Sequence, residues 1–207
     1  MFKDLKIVDF IDQLNSSAPT PGGGGVAALN GAEACGLTMM VCNVTVNKQL
    51  TKGLEPDKEL VKTALVASAL QNQLFALMDD DADVFGQLMQ CYKLPKDTEE
   101  QKETRRQAIL DGCKNACNPP KKTVKSCLQL LDLVKTAVTR GDKGVISDGY
   151  LAGRLAISAL WGGIYNLRIN AASIKDKAFA DDLYAIVADT EKKIAVFTAE
   201  VLDKCPL

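Results

Sequence analysis

Between Gly25 and Val46 the chain carries an almost unbroken run of small apolar residues, and this run limits what the rest of it can become. The stretch approaches membrane-spanning length. It also holds Asn30, Glu33, Thr38, Asn43 and Thr45, it lacks basic anchors on both flanks, and its apolar members are Ala, Gly and Val more than Leu and Phe. So little side-chain volume suits a helix whose neighbours come very near. The run therefore predicts a buried, closely packed helix of a soluble bundle, not a membrane span.

The remainder reads with a helical period. Leu5, Val8, Phe10, Ile11 and Leu14 make an amphipathic first helix, and 15–24 is a turn-rich break before the small-residue helix. A second break at 51–55 precedes Pro56, placed in the first turn of a helix running from about Asp57 to Tyr92, long enough to bend. Pro95 ends it. Thr98 to Gln101 reads as a capping box opening the next helix, which stops or kinks at Asn118-Pro119-Pro120. A helix from Pro120 to Arg140 follows, then one capped by Ser147 that reaches about Ser173, then a last one from Asp176 to Lys204. No stretch alternates like a strand. The expectation is an all-α single domain, 1–207, of six to eight helices, with a homodimer burying the spare apolar faces.

Charge and residue usage narrow the chemistry. With 25 Lys and Arg against 26 Asp and Glu in 207 residues, no basic footprint points to nucleic acid. Histidine is absent, which excludes a Ser-His-Asp triad and His-ligated metal, so acid–base work falls to carboxylates and other groups. The cysteines are odd in number, form no CxxC pair and sit in apolar patterns, and the charged start, Met1 to Asp4, is not a signal peptide. Free thiols in a cytoplasmic protein are expected. Cys113 and Cys117 share a helix face at i,i+4, but nothing supplies further metal ligands.

Four segments carry candidate chemistry. Thr20-Pro21-Gly22-Gly23-Gly24-Gly25 puts bare backbone at a helix start, a place for a carboxylate, phosphate or polarised carbonyl; a connector permitting tight packing is the plainer reading. It lacks the Lys-Ser/Thr of a P-loop and the preceding strand of a dinucleotide site. Asp79, Asp80, Asp81 and Asp83 crowd a helical pattern whose side chains sweep around the axis, so at least one should point inward with a raised pKa. A solvated face accounts for part of the cluster, and its spacing matches no calcium loop. Ser147-Asp148 is either a helix start or an acid–base site. Asn166 and Asn170, at i,i+4 on an apolar helix, suit a heterocycle or a helix–helix contact equally.

In order and spacing, these segments resemble the cyclodeaminase/methenyltetrahydrofolate cyclohydrolase family, over nearly the whole chain. The resemblance rests on Ser17 to Leu29, Met40 to Thr45, Asp80 to Phe85, Leu94-Pro95-Lys96, Ser147-Asp148 and Asn166 to Asn170. Two departures stand out: Gly25 replaces the usual serine, and Gly141-Asp142 replaces the usual Gly-Asn. The resemblance implies a helical homodimer acting on tetrahydrofolate one-carbon derivatives, with no tightly bound cofactor. The expected reaction is hydrolysis of 5,10-methenyltetrahydrofolate to 10-formyltetrahydrofolate. The alternatives are cyclodeamination of 5-formiminotetrahydrofolate with release of ammonia, a non-catalytic folate-binding bundle, or a plain helical interaction module. On this reading Asp148 is the principal acid–base residue and Asp81 or Asp83 the second carboxylate. Pro21, Gly22, Gly23, Gly24, Asn43, Ser147, Asn166 and Asn170 would contact substrate.

Overall fold

Small residues let the central helix of this protein touch three neighbours at once. The computed structural model describes residues 1–206, and among them there is no strand. Seven α-helices follow one another: α1 (Ile7–Leu14), α2 (Gly23–Thr51), α3 (Lys58–Cys91), α4 (Glu99–Asn115), α5 (Asn118–Arg140), α6 (Ile146–Ser173) and α7 (Lys177–Glu200). Short 3₁₀ turns lie at Phe2–Asp4, Lys143–Val145 and Leu202–Lys204. The all-α single domain is as expected.

Helix α2 packs against α3, α5 and α6, burying Ala28, Ala32, Ala34, Cys35 and Val41 completely. It runs antiparallel to both long neighbours. Gly31 meets Leu74 and Gly36 meets Gln71 on α3, while Ala27 meets Gly162 and Val41 meets Gly149 on α6. At these crossings the backbones approach so closely that a Cβ on Gly31 would lie 2.8 Å from Cys127 Sγ, and one on Gly162 2.6 Å from the Ala27 Cβ. Such contacts trade side-chain volume for helix proximity, and larger residues would force the axes apart. By length and composition α2 is apolar enough to span a membrane, yet just over half of its most apolar stretch is buried inside the bundle.

Helix ends fall where local hydrogen bonds place them. Thr98 Oγ1 accepts from the Gln101 amide, and Gln101 Oε1 accepts from the Thr98 amide, both at 3.2 Å: the capping box forms. Asp57 caps α3 through the Glu59 amide and Asp176 caps α7 through that of Phe179. Pro119 and Pro120 sit in the first turn of α5, where their missing N–H groups remove nothing.

Several expected boundaries move. Pro56 lies before the α3 cap rather than inside its first turn. Helix α6 begins at Ile146, so Ser147 is its second residue, exposed, and makes no capping bond. The last helix ends at Glu200 and the chain tightens into a 3₁₀ turn instead of continuing to Lys204. Gly23 and Gly24 are already helical, so the glycine run is the first turn of α2 and not a loop. The thiols of Cys35, Cys42, Cys113, Cys117 and Cys127 are buried and free.

The two kinds of helical glycine respond oppositely to a methyl group. Gly162→Ala should lower unfolding stability in urea by about 1–3 kcal/mol, because α2 and α6 must separate. Gly86→Ala has nothing within 4 Å and should gain about 0.5–1 kcal/mol from reduced unfolded-state entropy.

Candidate active site

The N-terminus of α2 has no side chain of its own to satisfy its free amides, since Gly22 is the cap residue. Asp81, on α3, supplies one. Its carboxylate lies against the bare Cα of Gly24, close enough to the Gly25 amide for that N–H to favour the charged form. A Cβ on Gly24 would stand 2.5 Å from both Cγ and Oδ2 of Asp81, so any side chain there would displace the carboxylate from this position. At Gly25 the same Cβ would meet only the Met78 carbonyl oxygen at 3.7 Å, an ordinary contact, so packing does not demand glycine at 25.

Burial pushes the Asp81 carboxyl above the usual aspartate range, and the Gly25 N–H bond opposes that shift without cancelling it. A half-buried carboxyl whose proton is held more firmly is better suited to take and return one than an ordinary carboxylate. The rest of the acidic cluster divides around the helix as the sweep of side chains requires. Asp80 and Asp83 are exposed. Asp79 turns the other way and accepts from the Phe2 amide at 2.5 Å, leaving its Oδ2 buried without a partner.

Helix α6 contributes the opposite wall. A Cβ on Gly23 would come within 3.9 Å of Asn166 Nδ2, and that amide donates to the Gly162 carbonyl at 2.8 Å. Asn170, one turn on, donates to the Ala116 carbonyl after α4 at 3.1 Å, which makes it a helix–helix contact. Pro21 is buried beneath this end. The structure thus gathers Pro21, Gly22, Gly23, Gly24, Asp81 and Asn166, with Asn170 beside them.

It does not gather the others within one chain. Asp148 and Asn166 share the single helix α6, 18 residues apart, which is about 27 Å of rise. Asn43 is exposed and a comparable distance along α2 from Gly24. Asp148, Ser147 and Asn43 therefore sit at the far end of the bundle. There Asp142 accepts from Lys48 at 2.7 Å and its amide donates to Thr45 Oγ1 at 2.8 Å, fixing the start of α6 against α2. Asp142, the departure noted in the sequence, is thus a structural clamp. Gly162 was passed over in the sequence, although a Gly-Gly pair within an apolar helix signals close backbone approach.

A helical bundle that lodges an aspartate carboxyl against the bare backbone of a neighbouring helix start is the arrangement found; among the described residues no three His, Cys, Asp or Glu converge as a metal site. Comparison with known proteins then places the chain. The family model described as formiminotransferase-cyclodeaminase matches residues 6–189, and the chain belongs to this family. Over 176 residues it is 36% identical to the methenyltetrahydrofolate cyclohydrolase of Methylorubrum extorquens, covering 85% of this chain and 84% of that protein. It is 26% identical over 200 residues to the mouse formimidoyltransferase-cyclodeaminase, covering 96% of this chain but only 36% of the longer protein. A crystal structure of formiminotetrahydrofolate cyclodeaminase from Thermotoga maritima superposes with a TM-score of 0.83 at 25% identity, covering 98% of this chain and 96% of the other.

The Asp81 environment has a measurable signature. Its folded-state pKa is raised, so the folded protein binds more protons than the unfolded one just above the ordinary carboxylate range. Stability from this group consequently falls as pH rises from that range through the raised value. Asp81→Asn, which can still accept from Gly25, should raise the denaturation midpoint at pH 7, and the gain should vanish in acid. An unchanged or lowered midpoint at pH 7 contradicts the assignment.

Proposed function

We propose that this chain is a methenyltetrahydrofolate cyclohydrolase in which Asp81 moves the protons. The observation that carries this reading is the Asp81 carboxyl held at Gly24 and Gly25, in a chain that shares 36% identity with a cyclohydrolase along most of both lengths. The methenyl carbon bridging N5 and N10 is an amidinium, already electrophilic, so no bound cofactor is needed. Water adds to that carbon and gives one proton to Asp81. The tetrahedral carbon then collapses: Asp81 returns that proton to N5, the C–N5 bond breaks, and the remaining hydroxyl proton is released to solvent as the carbonyl forms, leaving the formyl group on N10. Gly22 and Gly23 present free amides to a polar group of the substrate, and Asn166 borders the same space.

The distant residues join this site in a symmetric dimer. Val26, Leu37, Met40 and Val44 lie half-buried along α2, and Leu151, Tyr165 and Ile169 are 50%, 60% and 71% exposed on α6. The two helices are tied there by Asn30 Nδ2 donating to Ser158 Oγ at 3.0 Å. A two-fold axis crossing near residue 33 of α2 and residue 157 of α6 would lay the Asn43–Asp148 end of one copy over the Gly22–Asp81 end of the other. Asp148 then stabilises the cationic bridge as the second carboxylate, with Asn43 and Ser147 beside it, whereas exposed Asp83 takes no part. The free thiols suit the reducing cytoplasm.

The cyclodeaminase reading is the second, favoured by the Thermotoga maritima superposition. In that reaction N10 attacks the formimino carbon and ammonia leaves, passing through a similar tetrahedral carbon.

Hydrolysis of 5,10-methenyltetrahydrofolate, followed by loss of its near-ultraviolet absorbance, tests the first reading against ammonia release from 5-formiminotetrahydrofolate. Asp81→Asn should lower the hydrolytic rate by about 10²–10⁴-fold; a change under threefold removes Asp81 from this part. Mixing inactive Asp81→Asn and Asp148→Asn subunits should restore about a quarter of parental activity if each site draws one carboxylate from each copy. No recovery assigns Asp148 no share in the site.

A further inference from the structure

Two opposite charges stand alone on the face that α2 and α6 present together. Between Gly23 and Asn47 the single charged residue is Glu33, and between Gly149 and Leu167 it is Arg154. Both are exposed. Neither forms an ion pair among the described residues, although most of the surface charges nearest other helices do. Lys3 borders the same cavity as Glu33 and is not paired with it. Around the two charges the face is neutral: Leu37 and Met40 continue the stripe of Glu33 along α2, and Leu151 and Ser158 flank Arg154 on α6.

Contacts fix how these two helices align. Gly23 lies beside Asn166, Ala27 beside Gly162, Asn30 beside Ser158 and Val41 beside Gly149. Glu33 therefore stands level with residues 156 and 157, about one turn from Arg154 but on the other helix of the pair. The two halves of the active site are centred on the same place. Gly23 and Asn43 lie ten residues to either side of Glu33, and Asp148 and Asn166 nine residues to either side of residue 157.

A two-fold axis between the helices at this level lays α2 of one copy over α6 of the other. Glu33 then faces the partner's helix about one turn from its arginine, and the same contact recurs across the axis, as an isologous interface requires. A charge shut into such a face without its opposite is strongly unfavourable, and two like charges more so. Sliding either helix along the other would leave both charges against neutral residues, because neither stretch holds a second charge of any sign.

We propose that Glu33 of each copy pairs with Arg154 of the partner subunit, and that these two ion pairs set the register in which Asp148 of one copy reaches Asp81 of the other. This rests on the two-copy site given above. Glu33 and Arg154 are positioning residues and neither touches substrate. The planar guanidinium holds a carboxylate through two parallel N–H bonds, so the pairs fix the angle between the copies as well as their separation.

Sedimentation equilibrium of the whole chain, with methenyl hydrolysis measured on the same samples, tests the pairing. Glu33→Arg and Arg154→Glu should each raise the dimer dissociation constant about a hundredfold or more, since like charges then meet across the axis. An equimolar mixture of the two variants should recover dimers and hydrolysis. In it every contact between copies is again opposite in sign, whereas within each chain the two charges stay alike. The double variant Glu33→Arg/Arg154→Glu should dimerise by itself, and Lys3→Glu should leave the dimer intact. A monomeric parent, single variants that dimerise as tightly as the parent, or a mixture that associates no better than its components overturns the proposal. So does a loss in Lys3→Glu as large as that in Arg154→Glu. Dimers recovered in the mixture by a chain that turns over neither folate substrate support the pairing and sink the catalytic reading.

Discussion

The contact between the Asp81 carboxylate and the backbone of Gly24 ties the architecture of this protein to its chemistry. An α-helix begins with unpaired amides, and most helices satisfy some of them with a side chain from the cap residue. Here four consecutive glycines leave none, and a carboxylate from another helix fills the place. That arrangement requires α3 to run alongside α2 at short range. The same closeness is maintained lower down by Gly31 and, toward α6, by Gly162. The small-residue run is thus one device serving two ends. It draws the long helices together, and it delivers a carboxyl to a water-poor site where its proton is held more firmly.

A histidine-free enzyme needs such a device. Asp80 and Asp83 face solvent, whereas Asp81 turns inward against α2. In the proposed reaction the buried carboxyl of Asp81, whose proton burial holds more firmly, takes the place of an imidazole. The substrate's own positive charge lessens the demand further, because an amidinium carbon requires no Lewis acid to become reactive. Methenyl-bridge hydrolysis and formimino cyclisation differ in nucleophile and leaving group but share a tetrahedral carbon, so the proposed site is compatible with either reaction named among the relatives.

The fold was legible in the sequence wherever a local bond decided the outcome. Thr98 and Gln101 cap each other across three residues, and Asp176 caps its own helix, so those starts are readable from neighbours alone. The start of α2 was not, because the side chain that meets its glycines comes from a residue 57 positions away in the chain. Ser147 misled for the converse reason: the 3₁₀ turn at Lys143–Val145, clamped by Asp142 and Lys48, already carries the chain into α6. In the acidic cluster the sweep of the helix showed that one aspartate must turn inward, but only the position of α2 selects Asp81. The separation of Asp148 from Asn166 was implicit in their spacing, since an unbroken helix across both forces them apart. What spacing alone leaves open is whether a second copy closes the gap.

Carboxyl-carbon NMR of the protein labelled at aspartate, titrated with pH and assigned by the resonance missing from Asp81→Asn, measures the central claim directly. The account predicts that the Asp81 signal titrates above those of the exposed aspartates. A midpoint within or below their range would mean that the carboxylate is fully ionised against the α2 amides, and the proton-shuttling site described here would not exist.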